Sequence, residues 1–549
     1  MRAFQSVRRR SMSGLWPVAV AGLAGVALHV GPAEAQDRGA PLRHPISCSP
    51  AADAEFQRGL ALLHHMTYPA ARMSFAKAGR IDTRCAMAHW GIAMTLFQPL
   101  WPTRPTPDDL RRGWAAVEAA RAIGTKARRE EMLIEAAAAF FQDPDSGDYW
   151  TRIVRWEKAM QDAFAAVPGD DEIAVFHALA HLAAAPTDTI PRPRSAEAAE
   201  VLLAVLERQP RHPGAQHYLV HANDAPGREG ESPEIVSRYA AEAPRNPHAL
   251  HMPTHIQTRQ GRWAEVVSGN LRAADAALEQ PAGEHGEFVW DEFPHAIEYL
   301  VYAALQQGAD SVAGSQLARL MRTSRLQPTF KTAFHIASTR ARYALERGAW
   351  REAMALPVRD PATLDWDRFV WPEAVTWFAR GAGAAHEGRL DSAHVAAARL
   401  RALEAAAGTG GEPIFARNVR ILRLELDAWV AQGAHDTAAA ERTMREAAEL
   451  EVATAKHAVT PGPTLPAHEQ LGDLLLRQRR PAAALAAYRR SLELYPRRFN
   501  SLLGAARAAR DASDPAAARG YYAELLAVAA PNTPRRAVVE ARAFVAGRR

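Results

Sequence analysis

The chain has 549 residues, 48% hydrophobic and 23% charged, proportions of a soluble globular protein that exclude wholesale disorder and a multi-span membrane protein. Its formal charge of +5 falls to +2 once Arg2, Arg8, Arg9, Arg10 and Glu34 of the first 35 residues are set aside, so neither nucleic acid nor an anionic membrane is an expected partner. Two cysteines are too few for a disulfide-dense scaffold.

Residues 1–14 are basic and carry no acid, and residues 15–30 form one apolar run, interrupted by Pro17 and short for a membrane span. With the small-x-small pattern Ala33-Glu34-Ala35, residues 1–35 read as a signal peptide removed before Gln36, which places the mature chain in the periplasm or outside the cell. No later segment reaches a span. In an oxidising compartment Cys48 and Cys85 are expected to pair. Their disulfide closes a loop of about 37 residues and stabilises by roughly 3–4 kcal/mol.

Beyond the signal, alanine, leucine, arginine and glutamate recur at helical period between short proline or glycine turns, and alternating strand patterns are essentially absent. A period of 30–50 residues is visible along the chain. Near the mature N-terminus, Gly59, Ala71, Phe75 and Ala78 precede Trp90-Gly91. The inter-helix turns Gly261-Arg262-Trp263 and Gly348-Ala349-Trp350 follow. The clearest unit spans residues 466–496, with Leu471-Gly472, Ala484, Tyr488 and Pro496, and Ala518 and Tyr522 repeat it. Loops are expected at 186–194, 279–294, 356–372, 408–413 and 457–466, and the aromatic residues Phe288, Trp290 and Phe293 suit the second of these to fold over a groove. At these residues the chain resembles the tetratricopeptide repeat (TPR) family. The resemblance implies an all-α helical-repeat solenoid, a superhelix with a concave groove in which a protein or peptide can bind. Residues 36–350 form the N-terminal, histidine-rich set of repeats in this reading, and residues 351–549 the C-terminal set.

Residues 177–335 hold 11 of the 21 histidines. Three pairs are spaced i, i+4: His177/His181, His217/His221 and His251/His255, a spacing that sets two imidazoles on one helix face about 6 Å apart. The second and third pairs lie 34 residues apart, the period of the repeat, and the first lies 40 upstream, where residues 186–194 offer an insertion. Counted from the turn glycine as position 15, His251 and His255 fall at positions 5 and 9 and His248 at position 2. His295 and His335 share position 2, because each precedes a glycine (Gly308, Gly348) by 13 residues, and His64 falls at position 13. The resemblance implies that positions 2, 5, 9, 12 and 13 line the groove.

Neutral imidazole is the commonest transition-metal ligand, and an all-nitrogen shell suits copper, zinc, nickel or iron rather than calcium or magnesium. The expectation is a transition-metal site of His217, His221, His251, His255, His295, His64, His177, His181, His248 and His335, with copper ahead of zinc or iron. Asp224, Glu298, Tyr299 and Tyr302 are placed to act as further ligands or to orient the rings. Pro253, inside the third pair, is awkward for a regular helix. The segments 212–221 and 248–256, with Ser47-Cys48-Ser49-Pro50, Leu62-Leu63-His64 and Cys85-Ala86-Met87-Ala88, look like segments of a group of exported bacterial TPR proteins named for its repeats and not for a reaction. No His-Glu-x-x-His, Gly-x-Ser-x-Gly, phosphate-binding loop or dinucleotide fingerprint occurs. Whether the chain is an enzyme is left open, and the competing reading is a metal-free peptide-binding scaffold whose histidines are groove contacts.

Overall fold

Helix follows helix through the computed structural model, which describes residues 44–187, 193–283, 286–409 and 412–547. The signal-peptide segment 1–35 lies outside the described residues. The only named strands among them are two residues long, Pro281–Ala282 paired antiparallel with Phe288–Val289. Cys48 and Cys85 are joined in a disulfide, as the sequence reading expects.

Adjacent helices pack as antiparallel pairs because small residues let them cross closely while an aromatic ring fills the remaining space. Phe75 of helix Tyr68–Ile81 lies against Gly59 and Gly91, where an added Cβ would overlap its ring. Tyr488 of helix Pro481–Leu494 does the same between Gly472 and Gly504. Gly261 and Gly348, read as inter-helix turns, adopt φ of +64° and +63°, a left-handed conformation that costs glycine little. This repeated helix pair is the unit that the resemblance to TPR proteins implies.

The pairs do not run on as an open array. Trp263, Tyr299 and Tyr302 share a buried cluster with Phe499, Tyr522 and Val538, so the last repeats pack against the middle ones. Arg498, fully buried, ties this closure: it donates to the Tyr302 hydroxyl (3.0 Å) and to the carboxylates of Glu346 (2.9 Å) and Glu469 (3.0 Å). The Trp263 indole donates to the Arg497 carbonyl at 2.9 Å, and Arg535 pairs with Asp310 at 2.6 Å. No helix among the described residues is long and apolar enough to cross a membrane.

Beneath residues 453–466 lie two buried carboxyls, Glu425 and Glu451. Burial pushes Glu451 up to about 7, and burial together with Glu451 pushes Glu425 up as well. Glu451 accepts from the Ala467 amide (3.1 Å) and the Tyr495 hydroxyl (3.2 Å), contacts that a neutral group can keep. A carboxyl with a raised folded-state pKa binds more protons folded than unfolded, so its effect is to lower stability as pH rises from about 4.5 to 7. Glu451→Gln is therefore expected to raise stability at pH 8 by on the order of 3 kcal/mol and to change little at pH 4.5. Thermal melts of both proteins at the two pH values check this. An equal shift at both would contradict it.

A candidate metal centre of histidines

Two helices carry the core of the site, each opened by a proline at its first turn, where the missing N–H costs nothing. Pro213–Asn223 presents His217 and His221 at its fifth and ninth residues. In the next repeat, Pro247–His251 and Pro253–Arg259 place His251 and His255 in the same register. Pro253 divides that second stretch. It removes one backbone hydrogen bond, but Met252 keeps helical angles (φ −53°, ψ −43°), and the two histidines stay on one face.

The imidazoles converge. His217 Nε2 stands 2.9 Å from His248 Nε2, and His251 Nε2 stands 2.9 Å from His255 Nε2. His221 completes a set with the first pair and His295 completes a set with the second; within each set the ligand atoms lie within 4.8 Å of one another. Five of the six are at most 1% exposed, and His221 is half-buried. They occupy an enclosed interior rather than an open concave surface, a correction to the register argument. Burial first, and then the neighbouring imidazoles, hold His217, His221, His251 and His295 well below the usual histidine range; burial likewise lowers His255. These five rings are neutral near pH 7.

The far side of each ring decides what the near side can do. His217 Nδ1 donates to the His64 carbonyl at 2.6 Å. His251 Nδ1 donates to Asn270 Oδ1 at 2.6 Å, and Asn270 is itself oriented by donating from Nδ2 to the Val266 carbonyl. His255 Nδ1 faces Asp224 at 2.8 Å, and His248 Nδ1 faces Glu292 at 3.4 Å. His335 Nδ1 donates to Glu298, so its Nε2 accepts from His295 Nδ1 at 3.0 Å. A neutral imidazole has one proton, and with it committed at Nδ1 the Nε2 atoms of His217, His251 and His255 offer bare lone pairs. Two lone pairs 2.9 Å apart repel unless a cation lies between them. Two nitrogens bound to one ion at about 2.0–2.1 Å stand about 2.9 Å apart at a right angle and about 3.3 Å apart at the tetrahedral angle. The donor chemistry and the spacing therefore both fit a transition metal.

A third group, His64, Glu172 and His212, has similar spacing but different chemistry. His212 Nδ1 accepts the Ala215 amide proton at the start of its helix, so its Nε2 carries the proton and donates to Glu172 at 3.1 Å. His64 Nε2 lies 2.9 Å from the other Glu172 oxygen, and its Nδ1 lies 3.2 Å from the Tyr218 hydroxyl. Donors and acceptors match throughout, and the group needs no ion. His64, expected among the ligands, thus has its ring in this third group and reaches His217 through its carbonyl.

His177 and His181 do not join the cluster. They are the seventh and eleventh residues of helix Asp171–Ala183, two places later than the pairs on the other helices, and two residues turn a helix face by about 200°. His181 instead lies 2.9 Å from Glu157 and 2.7 Å from Glu197, and His177 stacks on Phe164. Both line a separate cavity of about 360 Å³. His335 belongs to the cluster as the residue that orients His295.

Of the expected orienting residues, Asp224 and Glu298 hold imidazoles as described, and Tyr299 packs within 5.2 Å, centroid to centroid, of His251, His255 and His295. Tyr302 turns away to Arg498. Sequence reasoning missed Asn270, Glu292, Trp101, Lys331 and Lys456. Glu292 stands three residues before His295 on the same helix, a readable signal; Trp101, which packs 5.1 Å from His248 and 5.9 Å from His295, comes from a segment with no periodicity. The other side is covered by residues 453–466, whose Thr460 carbonyl accepts from Tyr299 (3.0 Å) and whose Lys456 pairs with Asp224 (2.8 Å). The 283–294 segment, expected as the cover, pairs Phe288–Val289 with Pro281–Ala282 and delivers Asp291 and Glu292 to Lys331.

No family model matches the chain, and no curated protein matches its sequence. Among solved structures, the APC/C hetero-tetramer Cut9-Hcn1 matches at 14% identity over 91% of this chain and 96% of that one, with a TM-score of 0.29. The human IFIT1 dimer with PPP-AAAA matches at 12% identity over 81% and 91%, TM-score 0.39, and yeast Tom70 at 10% over 90% and 96%, TM-score 0.27. All three are TPR-repeat proteins. Likeness at these identities concerns the fold alone.

Proposed function

We propose that this is an exported TPR-repeat protein that binds a transition metal through His217, His221, His248, His251, His255 and His295, with copper ahead of zinc or iron. The observation that carries the reading is the pair of Nε2–Nε2 approaches at 2.9 Å between rings whose Nδ1 atoms face fixed acceptors. Copper is favoured by charge. Asp224 is paired with Arg259 and Lys456, Glu292 with Lys331, and Glu298 with Arg342, so no unpaired carboxylate among these offsets a buried dication. Copper(I), singly charged and content with few imidazoles, carries a smaller desolvation penalty there. The scaffold alternative requires a peptide to reach these rings, and their burial argues against it. Periplasmic or extracellular location rests on the signal-like N-terminus, and the Cys48–Cys85 disulfide accords with it.

Elemental analysis of full-length protein, purified without a histidine tag and equilibrated separately with copper(I) and zinc, tests the reading. Tightly retained copper is the expected result; protein that retains neither metal would return it to the scaffold class. The account also predicts that Asn270→Ala, which frees His251 Nδ1, lowers metal affinity about 10–100-fold in a competition titration. Unchanged affinity would mean that His251 is not a ligand.

A further inference from the structure

The six histidines do not surround one point. Ring centroids lie 4.8 Å apart for His217/His248 and 4.9 Å for His217/His221, and 4.2 and 4.7 Å for His251 with His295 and His255. The remaining separations, 6.2 Å within each set (His221/His248 and His255/His295) and 6.1 and 6.3 Å between them (His221/His255 and His248/His251), are alike, so the division rests on the ligand atoms, which lie within 4.8 Å of one another in each set. Each set contains its own Nε2–Nε2 pair at 2.9 Å, and an ion between the members of one pair does not lie between those of the other. The third member of each set is also poised: His221 Nε2 is buried without a hydrogen-bond partner, and His295, donating from Nδ1 to His335, keeps Nε2 for a ligand.

Resting on the metal reading above, we infer that the centre is dinuclear: two neighbouring ions of the same transition metal, each held by three imidazoles, one by His217, His221 and His248 and the other by His251, His255 and His295. The 34-residue repeat explains how such a centre arises, since the same helix positions recur one unit along and set the two pairs side by side. Neither set includes a carboxylate or thiolate. Three neutral donors leave each ion coordinatively unsaturated, able to take a small ligand, and the Trp101 ring on one side and residues 453–466 on the other restrict what can approach.

Copper(I) titrated into metal-stripped, full-length protein is expected to saturate at two equivalents. After chemical oxidation to copper(II), the loaded protein should give an electron paramagnetic resonance spectrum broadened by the dipolar interaction of two nearby spins, and weaker than its copper content where a small ligand bridges the ions. His217→Ala and His295→Ala, each removing a ligand from one set, should bind one equivalent and give full signal per copper. The wild-type titration and spectrum decide the question even where a variant fails to fold, which circular dichroism would reveal. Saturation at one equivalent overturns the dinuclear centre and leaves a mononuclear metal protein; two equivalents whose spins show no interaction overturn it as well and leave two separate sites. No uptake overturns the metal reading itself.

Discussion

His217→Ala combined with His251→Ala is expected to abolish stoichiometric copper or zinc binding. Each substitution removes one partner of a 2.9 Å Nε2–Nε2 pair, so both halves of the centre lose a ligand at once. Loss of a residue behind a ligand already costs about 10–100-fold in affinity, and loss of the ligand itself should exceed about 100-fold per site. The helices should survive, because the deleted rings contribute contacts inside the cluster while Leu219, Val220 and Leu250 keep their core packing. The matched control is His177→Ala with His181→Ala, two histidines at the same i, i+4 spacing whose partners are Glu157, Glu197 and Phe164. Isothermal titration of both double variants makes the comparison. Equal losses, or none in the first, would refute the assignment.

Arg498→Ala is expected to cost about 3–5 kcal/mol, the largest single effect on stability named for this chain. The guanidinium is fully buried, and without it the Glu346 and Glu469 carboxylates face each other's neighbourhood uncompensated, with the Tyr302 hydroxyl losing its donor. The loss would fall on the contact between the last repeats and the middle ones, since Arg498 belongs to the former and Glu346 and Tyr302 to the latter. Arg510→Ala removes solvent-accessible pairs with Asp511 and Glu540 and should cost under about 1 kcal/mol. Denaturant unfolding of both variants separates the cases. Comparable midpoints would mean that the buried network does not hold the closure.

The elements that periodicity governs were legible in the sequence. Gly59 with Phe75, and Gly472 with Tyr488, mark close helix crossings that the structure contains, and Gly261 and Gly348 are the turns they were read as. The two histidine pairs one repeat apart were legible for the same reason: identical helix positions in successive units must neighbour each other. What periodicity does not govern was not legible. His177 and His181 have the right mutual spacing, but the start of their helix, fixed by the Asp170 cap, puts them two residues out of phase. His64 was placed beside the cluster, but the partners of its ring were not legible, because only tertiary structure brings Glu172 and Tyr218 to it. The enclosure of the site depends on Trp101 and Lys456, which lie outside any repeat template. Asn270 is recognisable only after the fold shows that a buried amide stands behind His251.

Anomalous scattering at the copper edge, from crystals of the copper-loaded full-length chain, tests the metal centre most directly. The account predicts peaks within bonding distance, about 2.0–2.1 Å, of Nε2 of His217 and His248 and of Nε2 of His251 and His255. Peaks confined to His177 and His181, or to His64 and Glu172, or the absence of any ordered copper between the facing Nε2 atoms, would contradict it.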